Sequence, residues 1–99
     1  MAETYTSGVW IVKAGDEDAF AQEWTAFVSW AGEMPGSETF RPIRDLDQPR
    51  RYMSFAPWES FEAQQAWKAV PEFRERIGRV RAHCEDFQPS TRELVTEVR

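Results

Sequence analysis

The chain has 99 residues, which fits one domain predicted over residues 1–99, and a chain this short can bury only a modest core. Five tryptophans and seven phenylalanines supply a large apolar area, enough to build that core and also to line a cavity. The net charge of −5 repels phosphate backbones and anionic lipids, so nucleic acid is excluded as an expected partner.

Membrane and secretion signals are absent from the sequence. The longest apolar run, residues 9–12, is far too short to cross a bilayer, and residues 1–7 contain no basic region followed by an apolar stretch. The single cysteine, Cys84, can form no intrachain disulfide, which fits a reducing compartment. We therefore predict a cytoplasmic protein with no membrane partner.

The first strand is predicted over residues 8–13, where β-branched and aromatic residues stop at Ala14-Gly15. Its four central residues are all apolar, whereas a strand with one solvated face would alternate, so both faces should be buried. Asp16 is the predicted N-cap of an amphipathic helix. The helix carries apolar residues at spacings of three and four, namely Phe20, Trp24, Phe27, Val28 and Ala31.

Residues 37–44 and 50–58 are predicted as two strands joined by a turn-rich segment. Ser60 opens a short helix, and Pro71 starts another in its first turn. The apolar stripe of this last helix is predicted to consist of Phe73, Ile77, Val80 and Cys84. A final strand is predicted over residues 87–98, with a break near Pro89.

The predicted order of elements, β-α-β-β-α-β, is the split βαβ arrangement of an α+β, ferredoxin-like domain. Its helices cover one face of a four-stranded antiparallel sheet and leave the other face open. Because the first and third strands are apolar on both sides, we predict that this second face packs on the same face of an identical chain in a two-fold homodimer.

One segment and the order of elements carry a resemblance to a known family. Residues 55–60 read Phe-Ala-Pro-Trp-Glu-Ser and are followed by an alanine-rich helix and by Pro71-Glu72-Phe73. Over nearly its whole length the chain thus resembles the antibiotic biosynthesis monooxygenase-like family. The resemblance implies two ferredoxin-like protomers that form a dimeric α/β barrel. The family includes cofactor-free monooxygenases that oxidise polycyclic phenols, as well as haem-degrading enzymes.

The resemblance also bears on individual residues. Trp58 matches the tryptophan that lies near the substrate in both groups of enzymes. Both groups rely on an asparagine in the first strand, and this sequence contains no asparagine. When Trp67 and Phe73 are aligned with the haem degraders, their iron-ligating histidine falls near Ile77, which cannot coordinate a metal. Haem degradation is therefore not expected.

Each candidate binding residue has a functional and a structural interpretation. Trp58 can stack on a planar substrate and donate a hydrogen bond, or it can close the end of the sheet. Tyr52 can offer a phenol hydroxyl, or it can lie at the rim of the dimer interface. Three further predicted binding residues either line a space between sheet and helices or fill it as core; they are Trp24, Phe27 and Phe73. Trp10 points away from Val9 and Ile11, so it belongs either to the pocket or to the dimer interface.

Histidine is the residue type with an unperturbed pKa near neutrality, and His83 is the one histidine in the sequence, so it is a candidate general base, although a surface or capping role explains it as well. One histidine beside one cysteine cannot build a metal site, and no glycine-rich phosphate loop is present, so no metal and no cofactor are predicted. The predicted function is a cofactor-independent, monooxygenase-like protein that binds or oxidises a planar aromatic small molecule, with Trp58 and His83 as catalytic candidates. The alternative is a non-catalytic dimeric binding or accessory module of the same fold.

Overall fold

A computed structural model describes residues 3–98 as a sheet covered on one side by helices. The strands are β1 (Thr4–Val12), β2 (Arg41–Arg44), β3 (Arg51–Trp58) and β4 (Cys84–Glu93). The helices are α1 (Glu17–Ala31), α2 (Phe61–Ala69) and α3 (Pro71–Arg81). The strand order is β2-β3-β1-β4, and every neighbouring pair is antiparallel. The predicted α+β, ferredoxin-like fold is confirmed.

The two faces of the sheet differ because side chains alternate along each strand. On β1, Gly8, Trp10 and Val12 are buried under the helices, while Val9 and Ile11 between them are only half-buried. We call the helix-covered side the inner face and the opposite side the outer face. The apolar outer-face residues of β1 explain why the central part of this strand does not alternate in hydrophobicity.

The helices pack on the inner face through the predicted apolar residues. Phe20, Trp24, Phe27 and Ala31 of α1 are all buried. The hydroxyl of Ser60 accepts a hydrogen bond from the backbone N–H of Ala63, at 3.0 Å, and so caps α2 as predicted. Pro71 occupies the first turn of α3, where its missing N–H costs no hydrogen bond. In the part of the chain that the structure describes, none of these helices is long and apolar enough to cross a membrane.

Two predictions near β1 and β2 need correction. Asp16 precedes α1 but its side chain forms no capping hydrogen bond; its carboxylate instead contacts Nδ1 of His83 at 3.2 Å. The second strand begins at Arg41 rather than at residue 37, although Ser37 forms one isolated bridge to Trp58. The segment before β2 leaves the sheet because Phe40 packs its ring against the aromatic core.

The last strand lies nearer the N-terminus than predicted. It runs from Cys84 to Glu93, so Cys84 belongs to β4 rather than to the last helix, and the predicted break near Pro89 is wrong. Proline is tolerated there because β4 is an edge strand, in which part of the backbone N–H groups face away from any partner. After β4, the backbone N–H of Leu94 still donates to the carbonyl oxygen of Glu3 at 2.8 Å.

Candidate functional site

A cavity of about 70 Å³ lies between the inner face of the sheet and the three helices. Its walls are almost entirely aromatic and aliphatic, and they draw on every helix. The residues used below are Trp10 and Ser54 from the sheet, Trp24 and Phe27 from α1, Trp67 and Lys68 from α2, and Phe73 from α3. An enclosed apolar space with a few polar groups is the usual form of a small-molecule site.

The cavity brings together four of the six predicted binding residues, Trp10, Trp24, Phe27 and Phe73. Trp58 and Tyr52 do not line it. Trp58 is fully buried, and its indole N–H donates to the hydroxyl of Thr6 at 3.0 Å, so its hydrogen-bonding capacity is already used. Tyr52 packs its ring against Phe20, with centroids 4.9 Å apart. Neither residue is placed to touch a ligand in this cavity.

Trp67, which we did not predict as a site residue, lines the cavity and stacks on Trp58, which does not line it. The two indoles are stacked with centroids 4.9 Å apart and planes inclined by 28°. Trp67 also meets Phe73 edge to face at 4.8 Å and contacts Phe27 at 5.5 Å. It is therefore the central ring of the aromatic cluster around the cavity.

The indole N–H of Trp67 has no hydrogen-bond partner among residues 3–98, although the side chain is only 4% exposed. Leaving a buried donor unpaired costs about 1–3 kcal/mol, so such groups are uncommon in folded proteins. The nitrogen is not accessible to solvent or to the cavity, so a ligand oxygen accepts this hydrogen bond only after neighbouring side chains move. From sequence, Trp67 could be placed only on the buried side of α2, one turn after Gln64. That position does not reveal whether its indole N–H has a partner.

Among residues 3–98, Lys68 is the one cationic side chain on the cavity wall. Its ammonium donates to the hydroxyl of Thr91 at 3.0 Å and to the side-chain carbonyl oxygen of Gln64 at 3.4 Å. Gln64, which is completely buried, in turn donates to the hydroxyl of Thr4 at 3.1 Å. Burial lowers the pKa of Lys68, because removal of water disfavours the charged form.

The sheet side of the cavity is held by Trp10. Its indole N–H donates to the hydroxyl of Ser54 at 2.9 Å, and its ring stacks on Phe87 with centroids 3.8 Å apart. Gly8 makes this stack possible, because a Cβ atom there would lie 2.8 Å from the ring of Phe87 and 3.1 Å from the indole nitrogen of Trp10. The wall on this side is thus fixed by both a hydrogen bond and a close backbone approach.

His83 and Cys84 lie beside Val12, at the C-terminal end of β1, and do not line the cavity. The imidazole of His83 contacts Asp16, and its backbone carbonyl accepts from the N–H of Lys13 at 2.9 Å, so it links the turn before α1 to the turn before β4. Burial raises the pKa of Cys84 to about 11, which keeps the thiol protonated and unreactive at neutral pH. Neither side chain is positioned to act on a ligand held by Trp67.

No group of three histidine, cysteine, aspartate or glutamate side chains within residues 3–98 is placed to hold a metal ion. The polar side chains on the cavity wall are the hydroxyl groups of Thr6, Ser7, Ser54 and Ser90, which can both donate and accept, and the ammonium of Lys68, which can only donate. The arrangement therefore suits a flat apolar molecule that carries an acceptor oxygen.

The sequence profile of the antibiotic biosynthesis monooxygenase family matches residues 8–79, which is more than half of the chain. The chain belongs to this family. The match covers β1 through most of α3, and so includes the α2 turn that carries Trp67 and Lys68. No curated protein matches this family member in sequence.

Solved structures of distant sequence share its fold. A variant of SnoaB, a cofactor-independent oxygenase from Streptomyces nogalater, superposes with a TM-score of 0.88 at 17% identity, over 97% of this chain and 96% of that one. A protein from Shewanella oneidensis, SO0527, gives a TM-score of 0.81 at 15% identity, over 94% and 91% of the two chains. A conserved protein from Methanosarcina mazei also gives 0.81, at 10% identity, over 98% and 95%. Since identities this low establish the fold alone, the activity of this family member must be argued from its own cavity.

Proposed function

We propose that this protein is a cofactor-independent oxygenase whose substrate is a planar aromatic molecule with an acceptor oxygen. The observation that carries the proposal is an aromatic cavity whose wall includes Trp67, a residue with a buried indole N–H that has no partner within residues 3–98. A substrate oxygen satisfies that donor, and the surrounding rings offer stacking faces. Membership of the monooxygenase family and the structural likeness to SnoaB support the same reading.

The proposed reaction needs little chemistry from the protein. An electron-rich carbon next to a phenolate ring attacks dioxygen, a C–O bond forms, and the O–O bond of the resulting peroxide then breaks. A ring CH₂ group becomes a carbonyl, the second oxygen atom leaves as water, and all four electrons come from the substrate. The protein contributes by holding the ring, excluding water and stabilising the ionised oxygen.

The size of the cavity sets a condition on this proposal. About 70 Å³ is less than half of the roughly 150 Å³ cavity that holds benzene in an engineered protein. A polycyclic ligand can therefore bind only if wall side chains move apart. The same tight packing favours a second function, a non-catalytic dimeric module in which these rings are solid core.

Self-association is part of the proposal. The central part of the outer face is apolar and is covered by no other element within residues 3–98, so we propose that a second copy covers it. The cytoplasmic location stays a prediction of the sequence.

Titration of the purified protein against haem, polycyclic phenols, quinones and flavin tests the proposed ligand class. Quenching of tryptophan fluorescence should saturate with the phenols or quinones, and oxygen uptake should then be measured with the phenol that binds. Urea-denatured protein is the control for non-specific quenching. A flat response across the panel would favour the non-catalytic module.

Substitution of Trp67 by phenylalanine tests the central observation. Trp67→Phe keeps an aromatic ring but removes the unpaired donor, so affinity for a phenolic ligand should fall about tenfold, the effect of one hydrogen bond of roughly 1.4 kcal/mol. Trp58→Phe is the matched control; it removes an N–H that is bonded to Thr6 and should leave affinity unchanged while lowering stability. Affinity is measured by calorimetry, because each variant also loses a fluorophore. Equal losses of affinity in both variants would contradict the role of Trp67.

A further inference from the structure

Two adjacent residues on the last turn of α2 belong to the cavity wall and carry hydrogen-bond donors, and only one of them is neutral. Trp67 offers an N–H, and Lys68 offers a positively charged ammonium. We propose that Lys68 determines the specificity of this site by binding a negatively charged oxygen, so that the ligand is an aromatic phenolate rather than a neutral arene. This inference rests on the proposed function, since it names the ionisation state of the ligand in the same cavity.

The hydrogen bonds of Lys68 leave room for a ligand. An ammonium has three N–H donors, and two are taken by Thr91 and Gln64. Both partners are uncharged, and one of the two bonds is long, at 3.4 Å. A third donor is thus available on a side chain that already lines the cavity.

The charge of Lys68 is not neutralised by the protein. Within residues 3–98 its ammonium forms no ion pair. Glu72, in the first turn of α3, pairs with Arg76 at 2.6 Å instead, and burial rather than any carboxylate shifts the pKa of Lys68. A half-buried cation without a counterion is stabilised when an anion binds.

The same arrangement promotes ionisation of a bound phenol. An ammonium within hydrogen-bonding distance favours the charged form of an acidic oxygen, and apolar walls strengthen the attraction. The phenol loses its proton to solvent while Lys68 remains protonated. The phenolate is also the electron-rich form that reacts with dioxygen, so recognition and activation fall to one side chain.

A purely structural role for Lys68 is the competing explanation. Its bond to Thr91 ties α2 to β4, and the loss of that tie alone could disturb the cavity. Thr91→Val removes the tie and keeps the ammonium, whereas Lys68→Met removes the ammonium and keeps much of the side-chain volume. Lys68→Arg keeps a cation and is the conservative variant.

The experiment compares 2-hydroxyanthraquinone, whose visible spectrum changes on ionisation, with its neutral methyl ether, 2-methoxyanthraquinone. In the unaltered protein the hydroxy compound should bind at least about tenfold more tightly than the ether and show the phenolate spectrum at a pH where the free dye is still protonated. Lys68→Met should lose both the preference and the spectral shift but keep its affinity for the ether. Lys68→Arg and Thr91→Val should retain both.

Each other outcome has a distinct meaning. If Lys68→Met weakens both ligands equally, or if Thr91→Val abolishes the preference, Lys68 acts structurally and the inference is wrong while the aromatic site stands. If both ligands bind the unaltered protein equally and no spectral shift occurs, the inference is likewise wrong. If neither ligand binds the unaltered protein, both the proposed function and the role of Lys68 are wrong.

Discussion

At the scale of single residues, Gly8 shows how closely the cavity wall is packed. An added Cβ would lie 2.8 Å from the ring of Phe87, within the stack that this ring forms with Trp10. Because both rings are confined, we expect Gly8→Ala to lower the free energy of unfolding by about 1–3 kcal/mol, as overpacked cores do. Urea denaturation followed by circular dichroism measures the change.

Gly78 provides the matched control for this substitution. It lies in α3, and nothing stands within 4 Å of the position that its Cβ would occupy. Gly78→Ala should therefore raise stability by about 0.5–1 kcal/mol, the usual helix preference of alanine over glycine. A similar gain in Gly8→Ala would show that the Trp10–Phe87 stack is loose.

The residues of the cavity were only partly predictable from sequence. Periodicity identified which helical side chains face the interior, and so it found Trp24, Phe27 and Phe73. Strand alternation named Trp10 but could not decide between the cavity and the dimer interface. It could not separate Trp58 from Trp67, because both are buried aromatic residues on inward-facing positions. What separates them is whether the indole N–H has a partner, and that depends on contacts between residues far apart in the chain, such as Thr6 with Trp58.

At the scale of elements, α2 decides the geometry of the candidate site because its last turn carries Trp67 and Lys68. A helix of nine residues depends strongly on its ends, and Ser60 caps its first turn through the N–H of Ala63. We expect Ser60→Ala to lower stability by about 1 kcal/mol and to weaken ligand binding. Chemical denaturation and the calorimetric titration measure the two effects.

Ser60→Asp is the control, since aspartate keeps the acceptor and adds a negative charge at the positive end of the helix dipole. Both stability and affinity should stay near those of the unaltered protein. Loss of binding in Ser60→Asp would mean that the hydroxyl has a role beyond capping.

The order of elements could be predicted from sequence, but the boundaries of the outer strands could not. The helices with clear apolar stripes lie close to their predicted positions, whereas β1 begins at Thr4 rather than at residue 8, because residues 4–7 are polar or aromatic and lack the apolar run that marked the strand. All four residues of β2 are exposed, and β4 has a neighbouring strand on one side only. Hydrophobic alternation is therefore weak in both strands. For such strands the hydrogen-bond partners set the limits, and those come from β1 and β3 rather than from local sequence.

At the scale of the whole molecule, the protein is a thin slab with extents of 42 × 36 × 18 Å. Its helices cover the inner face only, and the outer face presents Val9, Ile11, Met53 and Phe55. Phe55 is 38% exposed in the single chain. An apolar strip on the open face of a two-layer domain, bordered here by charged residues such as Arg51 and Asp86, is typical of an interface. A stable interface buries about 1,200–2,000 Å² in total.

Placing a charge at the centre of this face tests whether it is the dimer interface. We expect the unaltered protein to be a dimer by light scattering and Phe55→Glu to be a folded monomer, because two buried carboxylates would repel each other across the two-fold axis. Phe61→Glu is the matched control: Phe61 is 49% exposed at the start of α2, on the helical side, where a negative charge suits the helix dipole. It should remain dimeric. If the unaltered protein is a monomer, the outer face is not a dimer interface. If Phe55→Glu and Phe61→Glu both dissociate, the added charge rather than its position on the outer face breaks the dimer.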